Sequence, residues 1–462
     1  MRCRACGAIS ARAVFRRLSL LCAEINKQTL IHHVLQYRAG TTGPSSGAEA
    51  RRIKQLVVAV KAVTHKILEH ARLALWQIVR LVNPLLWKSV INSLAAGYRQ
   101  MILSMRLLSL VGAALFATTS VYAQAEAPSA YPLTEGDYVA HDFKFRSGEQ
   151  LAELRLHYRT LGKLARDAQG HSTNAVLILH GTGGSGAQFL QPQFAGKLFG
   201  AGQLLDVNQY FVILPDGIGH GKSSKPGDGM HAHFPEYDYD DMVAAQHLLV
   251  TEGLGIQHLR LIMGTSMGCM HSFVWGETYA DFADALMPMA CLPVQIAGRN
   301  RVWRKMVMDA IRKDPAWNGG EYKDEPKEGL RTAEDILVIA GSAPLAMQKT
   351  LPTRDAADKY AEDAEKRAST LDANDLLYQV NASRNYDPSA LEKITASVMW
   401  INSADDFINP PELGIAEKES KRLKKGTFVL LPISEKTHGH GTHTWAVAWE
   451  DYLKQLLDKT AH

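Results

Sequence analysis

The chain predicts an α/β fold: a mostly parallel β-sheet, covered by helices on both faces, with a helical cap inserted before the last strands. Short apolar runs, NAVLILH (174–180), YFVILP (210–215), LRLIMG (259–264), SVMWIN (397–402) and TFVLLP (427–432), alternate with helix-length segments such as Tyr239 to Glu252. Strands fed by helical crossovers come back parallel, which buries both faces of the sheet. Between about Gly298 and Ser389 the strand signal stops and charged, Ala-rich sequence such as PTRDAADKYAEDAEKRASTLDANDLLYQV takes over. A helical segment of that length ahead of a returning strand is expected to sit over the sheet as a cap.

Composition bounds the function classes. At 462 residues and 46% hydrophobic, the chain is long enough for a domain with a sizeable core. Its net charge of +4 averages two unlike pieces. Residues 1–100 carry 16 Lys/Arg against three acids, Glu24, Glu49 and Glu69, so residues 101–462 hold the remaining 35 basic and 44 acidic residues, a net of −9. An acidic main body gives no nucleic-acid surface.

The boundary between the pieces looks like a start site. From Met101 the sequence reads MILSMRLLSLVGAALFATTSVYAQAEAPSA, in which Arg106 precedes an apolar run from Leu107 to Phe116 and Val121-Tyr122-Ala123 has the small-x-small form of a signal-peptidase site. The run is short for a bilayer span, so Met101 (or Met105) to Ala123 is expected to be a signal peptide, with an uncut anchor as the alternative. A signal peptide must begin the chain, which makes residues 1–100 an over-extended translation start or, alternatively, a basic targeting or membrane-contact extension whose Ile53 to Tyr98 stretch is helical and amphipathic in pattern. The expected organisation is therefore 1–100 basic extension, 101–123 signal, 124–297 first part of the sheet domain, 298–389 cap and 390–462 second part. Cys3-Arg-Ala-Cys6 has no second cysteine pair with which to form a zinc site, and Cys269 and Cys291 downstream imply no disulfide framework.

The chemistry lies in LRLIMGTSMGCMHSFVW. Gly264-Thr265-Ser266-Met267-Gly268 fits G-x-S-x-G between an apolar strand and a helical pattern, the context that motif needs. A strand turning sharply into a helix leaves no room for Cβ atoms, hence the flanking glycines, and the turn lifts the serine hydroxyl out of the sheet. The Met267 N–H then lies at a helix N-terminus, where it can hold an oxyanion.

A serine hydroxyl needs a histidine to take its proton and a carboxylate to hold that histidine. Both follow in chain order. SVMWINSADDFINPP places Asp405 and Asp406 at the end of an apolar strand, where active sites of open α/β sheets gather, and EKTHGHGTHTW (Glu435 to Trp445) supplies His438, His440 and His443 after the last strand. Three closely spaced histidines could ligate zinc, but no companion cluster at metal spacing exists elsewhere and a general base needs only one of them. A second oxyanion donor is expected in the loop His180-Gly181-Thr182-Gly183-Gly184 after NAVLILH, and PDGIGHGKSSKP from Pro215 is expected to be a positioning loop in which Asp216 is structural.

From about Leu154 to Leu457 the chain resembles the homoserine O-acetyltransferase branch of the α/β-hydrolase superfamily, on the segments LHYRTLGKL, PEYDYDDMVAAQHLLVTEGLGI, GTSMGCMHSFVW, IRKDPAWNGGEY and LDANDLLYQVNASRNYD. The resemblance implies the α/β-hydrolase fold, with Ser266 as nucleophile, Asp406 rather than Asp405 as the triad acid ahead of Pro410 and Pro411, His440 of Gly439-His440-Gly441 as the base, and the backbones of Met267 and Thr182 as oxyanion donors. It implies no metal and no organic cofactor, and it allows a homodimer, since dimers are common in that family. Three departures concern the acceptor: Gly441 stands where the family has an Asp that anchors the amino group of homoserine, GIGHGKSSKP replaces the family's Gly-Ser-Thr-Gly-Pro stretch, and the family's Gly-Gly-Ser-Met-Gly-Gly is altered to Gly264-Thr265-Ser266-Met267-Gly268-Cys269. Together with the signal peptide, these predict a periplasmic or secreted serine hydrolase acting on a small-molecule ester or related acyl substrate through an acyl-enzyme, with no nucleic-acid partner and no stable membrane insertion after signal cleavage. The alternative is a homoserine O-acetyltransferase-like acyltransferase that uses an acyl-CoA donor.

Overall fold

The computed structural model describes residues 131–461, so the expected basic extension (1–100) and signal peptide (101–123) lie outside the described residues. No described helix is long and apolar enough to cross a membrane.

Eight strands among the described residues form one sheet: β1 (Leu133–Lys144), β2 (Gln150–Leu161), β3 (Ala175–Leu179), β4 (Phe211–Pro215), β5 (Leu261–Thr265), β6 (Ala285–Met289), β7 (Ser397–Ser403) and β8 (Gly426–Leu431). Their spatial order is β1-β2-β4-β3-β5-β6-β7-β8. β1 and β2 form an antiparallel ribbon and β2 pairs antiparallel with β4; all later pairs are parallel. The helices, in chain order, are α1 (Ala195–Leu198), α2 (Tyr239–Leu248), α3 (Met267–Thr278), α4 (Gly298–Lys313), α5 (Lys327–Gly341), α6 (Pro344–Thr350), α7 (Arg354–Glu362), α8 (Ala364–Ala368), α9 (Ala373–Asn381), α10 (Ile415–Glu419) and α11 (Glu450–Lys459).

All five strand runs read from the sequence are strands. β3, β5 and β7 are buried at every residue, which is why they read as continuous apolar runs rather than alternating ones. The pleat sends Ala175, Leu177 and Leu179 of β3 into a core layered with α2 and α3, and Val176 and Ile178 into a second core with α11 on the opposite face. Three strands were not apparent in the pattern. β1 and β2 carry many polar residues because much of their surface is exposed, and β6 (Ala-Leu-Met-Pro-Met) lacks β-branched residues and contains Pro288. Its place between β5 and β7 overrides that poor propensity.

Helix α2 begins as expected at Tyr239. Asp238 accepts from the Asp241 N–H while the Asp241 carboxylate accepts from the Asp238 N–H, a reciprocal capping box. Between β6 and β7 the chain forms α4 to α9 with a core of its own, in which Trp303, Val307 and Ile311 of α4, spaced one helical turn apart, meet Leu330 and Ala333 of α5 and Val380 of α9. Tyr378 of α9 donates to the carbonyls of Ala232 (3.1 Å) and Phe234 (2.8 Å), and Gln379 donates to that of Gly219 (2.7 Å), tying this helical segment to the loops at the strand ends.

Candidate active site

The site is built on the C-terminal ends of β3, β5 and β7 and the loop after β8. Ser266 falls between β5 and α3 with φ 53° and ψ −108°, a conformation L side chains rarely adopt. The neighbouring glycines are forced by contact: a Cβ on Gly264 would lie 1.9 Å from the Gly268 carbonyl oxygen, and one on Gly268 would lie 2.1 Å from that of Leu179. The turn is further held by the Ser266 N–H, which donates to the Met289 carbonyl at the end of β6 (2.9 Å).

The structure brings Ser266, His440 and Asp406 together. His440 Nδ1 lies 2.9 Å from Asp406 Oδ2 and Nε2 lies 2.8 Å from Ser266 Oγ. A carboxylate only accepts, so Nδ1 carries the proton and Nε2 is free to accept from the serine hydroxyl. Asp406 is 2% exposed. Burial alone would raise its pKa; the His440 beside it, with hydrogen bonds from His440, the Asn409 side chain and the Ile408 N–H, outweighs that and holds it below the ordinary carboxylate value. Such a relay can pass a proton from a hydroxyl to an imidazole and hold the cation that results.

Asp405 takes a different position. It accepts from the Ser403 hydroxyl and from the Gly439 N–H (3.0 Å), bracing the histidine loop without meeting the imidazole. The three histidines have separate surroundings. His438 stacks on Trp445 with ring centroids 4.1 Å apart, and His443 sits edge-on to His440 at 5.3 Å, its pKa pushed down to about 3 by burial and by His440. Among the described residues no cluster of His, Cys, Asp or Glu has the arrangement of a metal site.

The loop after β3 lies against Ser266: a Cβ on Gly181 would be 3.2 Å from that of Ser266, and Thr182, the expected second oxyanion donor, is the next residue of that loop. His180, which the sequence suggested only as part of the glycine-rich loop, fixes the loop. Its Nδ1 donates to the Gly181 carbonyl (2.8 Å) and its Nε2 accepts from the Gly217 N–H (2.9 Å), a neutral tautomer favoured by burial, which lowers its pKa. Asp216 is buried against Arg159 (2.9 Å) and accepts from the Gly186 and Lys222 amides, which makes it a brace between loops, as expected.

Two further features were not legible in the sequence. Asn409 donates through Nδ2 to both Asp406 Oδ2 (2.9 Å) and the Ala290 carbonyl (3.0 Å); the D-x-x-N spacing in DDFIN was its only signal. The cysteines require a correction: Cys269 and Cys291, from which no disulfide framework was inferred, are joined by a disulfide. The sequence could not show it, because the pairing depends on β6 lying beside β5.

A cavity of about 780 Å³ opens over Ser266 and His440. One wall is apolar, with Met270, Leu292, Ile408 and Leu413; α4 supplies Arg299 and the buried Arg304, which donates to Asn300 Oδ1 (2.9 Å) and Ser383 Oγ (3.2 Å). Beside the imidazole, a Cβ on Gly441 would meet nothing within 4 Å, so the position where the resemblance expects an acidic anchor is open.

Residues 174–432 match the family model described as alpha/beta hydrolase fold. The chain is also 30% identical over 362 residues to a homoserine O-acetyltransferase from Pelobacter propionicus, covering 69% of this chain and 95% of the relative. The chain belongs to the α/β-hydrolase family, on its homoserine O-acetyltransferase-like branch. Solved α/β-hydrolase structures agree in fold at 21% identity and a TM-score of 0.62: an acetylester hydrolase from Corynebacterium glutamicum, covering 70% of this chain and 96% of that one, and a homoserine O-acetyltransferase from Bacillus anthracis, covering 71% and 98%. In this α/β-hydrolase, then, the strained serine, the imidazole and the buried carboxylate occupy strand ends and loops in the order Ser, Asp, His that the fold uses.

Proposed function

We propose that this enzyme forms an acyl-enzyme on Ser266 and passes the acyl group to an acceptor. The observation that carries the reading is the hydrogen-bonded series Ser266–His440–Asp406. His440 removes the serine proton as Oγ attacks the carbonyl carbon of a small-molecule ester or thioester. Asp406 keeps the imidazole in the required tautomer and stabilises the imidazolium, and the N–H groups of Met267 and Thr182 hold the tetrahedral oxyanion. His440 returns the proton to the leaving group, then activates the second nucleophile by the same route.

Acyl transfer to an alcohol from an acyl-CoA donor is the leading reading of the second step, supported by the transferase matched over nearly its whole length. Hydrolysis is the second reading, and a specific observation favours it: Gly441 beside His440 supplies no carboxylate where the resemblance expects an amino-anchoring Asp, and the space a side chain there would take is open. A periplasmic or secreted location, supported by the signal-like residues 101–123 and by the Cys269–Cys291 disulfide, would likewise favour water over a cytosolic thioester.

The test is turnover of the purified chain with p-nitrophenyl acetate and, separately, with acetyl-CoA plus homoserine, beside a Ser266→Ala control. CoA release that depends on homoserine and is lost in the control establishes transfer. Ester hydrolysis lost in the control, without CoA release, establishes a hydrolase. Activity that survives the Ser266→Ala change in both assays removes the acyl-enzyme altogether.

A further inference from the structure

We infer that the Cys269–Cys291 disulfide is a positioning element of the catalytic centre, locking the nucleophile turn to the segment that braces the catalytic acid. The inference rests on Ser266 being the nucleophile and holds for either acceptor. Cys269 lies in the first turn of α3, three residues after Ser266 and two after Met267, whose N–H faces the developing oxyanion. Cys291 lies two residues beyond Met289, whose carbonyl accepts from the Ser266 N–H. Both cysteines are buried.

Cys291 is itself tied to β7. Its N–H donates to Asn402 Oδ1 (3.2 Å), and its carbonyl accepts from Asn402 Nδ2 and Trp400 Nε1 (both 3.1 Å). The preceding residue, Ala290, has φ +64°, and its carbonyl accepts from Asn409, which also donates to Asp406. The disulfide therefore closes a circuit: Ser266 through α3 to Cys269, across to Cys291 and Ala290, on through Asn409 to Asp406 and His440, and back to Ser266. All of its links except the peptide segments and the disulfide are hydrogen bonds.

Two non-glycine residues in this circuit, Ser266 and Ala290, have left-handed φ values. Such conformations persist only where the surroundings over-determine them. The covalent bond lies between those two points, where relaxation of either would move the Ser266 hydroxyl and the Met267 N–H relative to Asp406 and His440.

The experiment compares the full chain with its Cys269→Ala/Cys291→Ala double variant in p-nitrophenyl ester turnover and in the rate of labelling by a fluorophosphonate. The expected result is a fall of roughly ten- to a hundredfold in both kcat and labelling rate, the scale of a sub-ångström to 1 Å misplacement of reacting groups, with KM changed less than about twofold and cooperative unfolding retained above the assay temperature. A double variant that unfolds at a lower temperature but keeps wild-type kcat overturns the inference and leaves the disulfide as a stabilising link only. Should the variant fail to fold, wild-type chain partly reduced with dithiothreitol in mild urea, alkylated and returned to buffer gives the same answer: kcat per molecule rises in proportion to the fraction still bridged, and independence from that fraction overturns the inference. Turnover that survives Ser266→Ala marks failure of the acyl-enzyme reading instead.

Discussion

The two sides of Ser266 are built differently. The nucleophile turn is packed against backbone, with hypothetical Cβ atoms at Gly264 and Gly268 meeting carbonyl oxygens at 1.9 and 2.1 Å and a disulfide one turn away. The histidine loop is held by hydrogen bonds that Asp405 accepts from the Gly439 N–H and Asp406 from His440, and by Thr442, which accepts from the His438 N–H and donates to the Gly439 carbonyl; past His440, a Cβ at Gly441 would meet nothing within 4 Å. In the proposed mechanism the serine attacks from the packed side, and the second nucleophile is proposed to enter on the open side, beside Gly441. On that reading packing fixes the geometry of the nucleophile and leaves the acceptor's approach open.

The largest effect expected is at the packed side. Ser266→Ala lowers kcat by about a millionfold, since removing the nucleophile costs about as much as removing the whole relay, and abolishes fluorophosphonate labelling. Steady-state turnover with a p-nitrophenyl ester measures it. A comparison of two adjacent acids comes next: Asp406→Asn lowers kcat by about 10⁴-fold by allowing the wrong imidazole tautomer, whereas Asp405→Asn, which loosens the Ser403 and Gly439 contacts but touches no imidazole, stays within about tenfold. Equal losses in the two variants would mean that the carboxylate touching His440 in the structure is not the one that orients it.

How much of this was legible depended on the range of the contacts involved. Ser266 announces itself locally through its motif after an apolar strand, whereas local pattern narrowed the acid only to Asp405 or Asp406 and the base to one of three histidines, Asp406 and His440 being chosen by the family resemblance; the β3, β5 and β7 runs are apolar enough to show without their neighbours. β6 did not, since Pro288 and the absence of β-branched residues hide a strand that exists because β5 and β7 flank it. The disulfide and the Ala290–Asn409–Asp406 bonds were invisible for the same reason: both depend on which strand lies beside which. His180 was visible as a loop residue, but the bond its Nε2 accepts from the Gly217 N–H spans 37 residues and could not be read from spacing.

A third expected effect probes how strictly the packed side excludes charge. His271 on α3 is fully buried, its Nδ1 accepting from Gln246 Nε2 (3.1 Å), and burial, aided by His180, pushes its pKa down from 6.5 to about 3. Its folded pKa lies below the unfolded one, so its contribution to stability is fully present above pH 6.5 and is lost as pH falls from there toward 3, at up to about 1.4 kcal/mol per pH unit. His271→Asn, which keeps an acceptor for Gln246 and cannot protonate, should flatten the pH dependence of stability relative to wild type by that amount between about pH 5.5 and 4. Urea unfolding of both chains at several pH values measures the difference, and parallel curves would mean that His271 is protonated in the folded chain.

The smallest effect is expected on the open side, and it bears most directly on the acceptor. Gly441→Asp should be accommodated without rearrangement, because a Cβ there meets nothing within 4 Å. It places a carboxylate beside His440, where an ammonium group on an incoming alcohol could pair with it. A hydrogen bond to a charged group contributes about 1.5–3 kcal/mol, so the ratio of acyl transfer onto homoserine to hydrolysis should rise about tenfold or more, with the rate of acyl-enzyme formation unchanged. The burst of p-nitrophenol reports the first step and product partitioning the second. If the ratio rises while the burst is constant, acceptor choice resides in the histidine loop alone. If the burst also slows, the two sides are coupled through His440, and the open side is less independent of the packed one than its geometry implies.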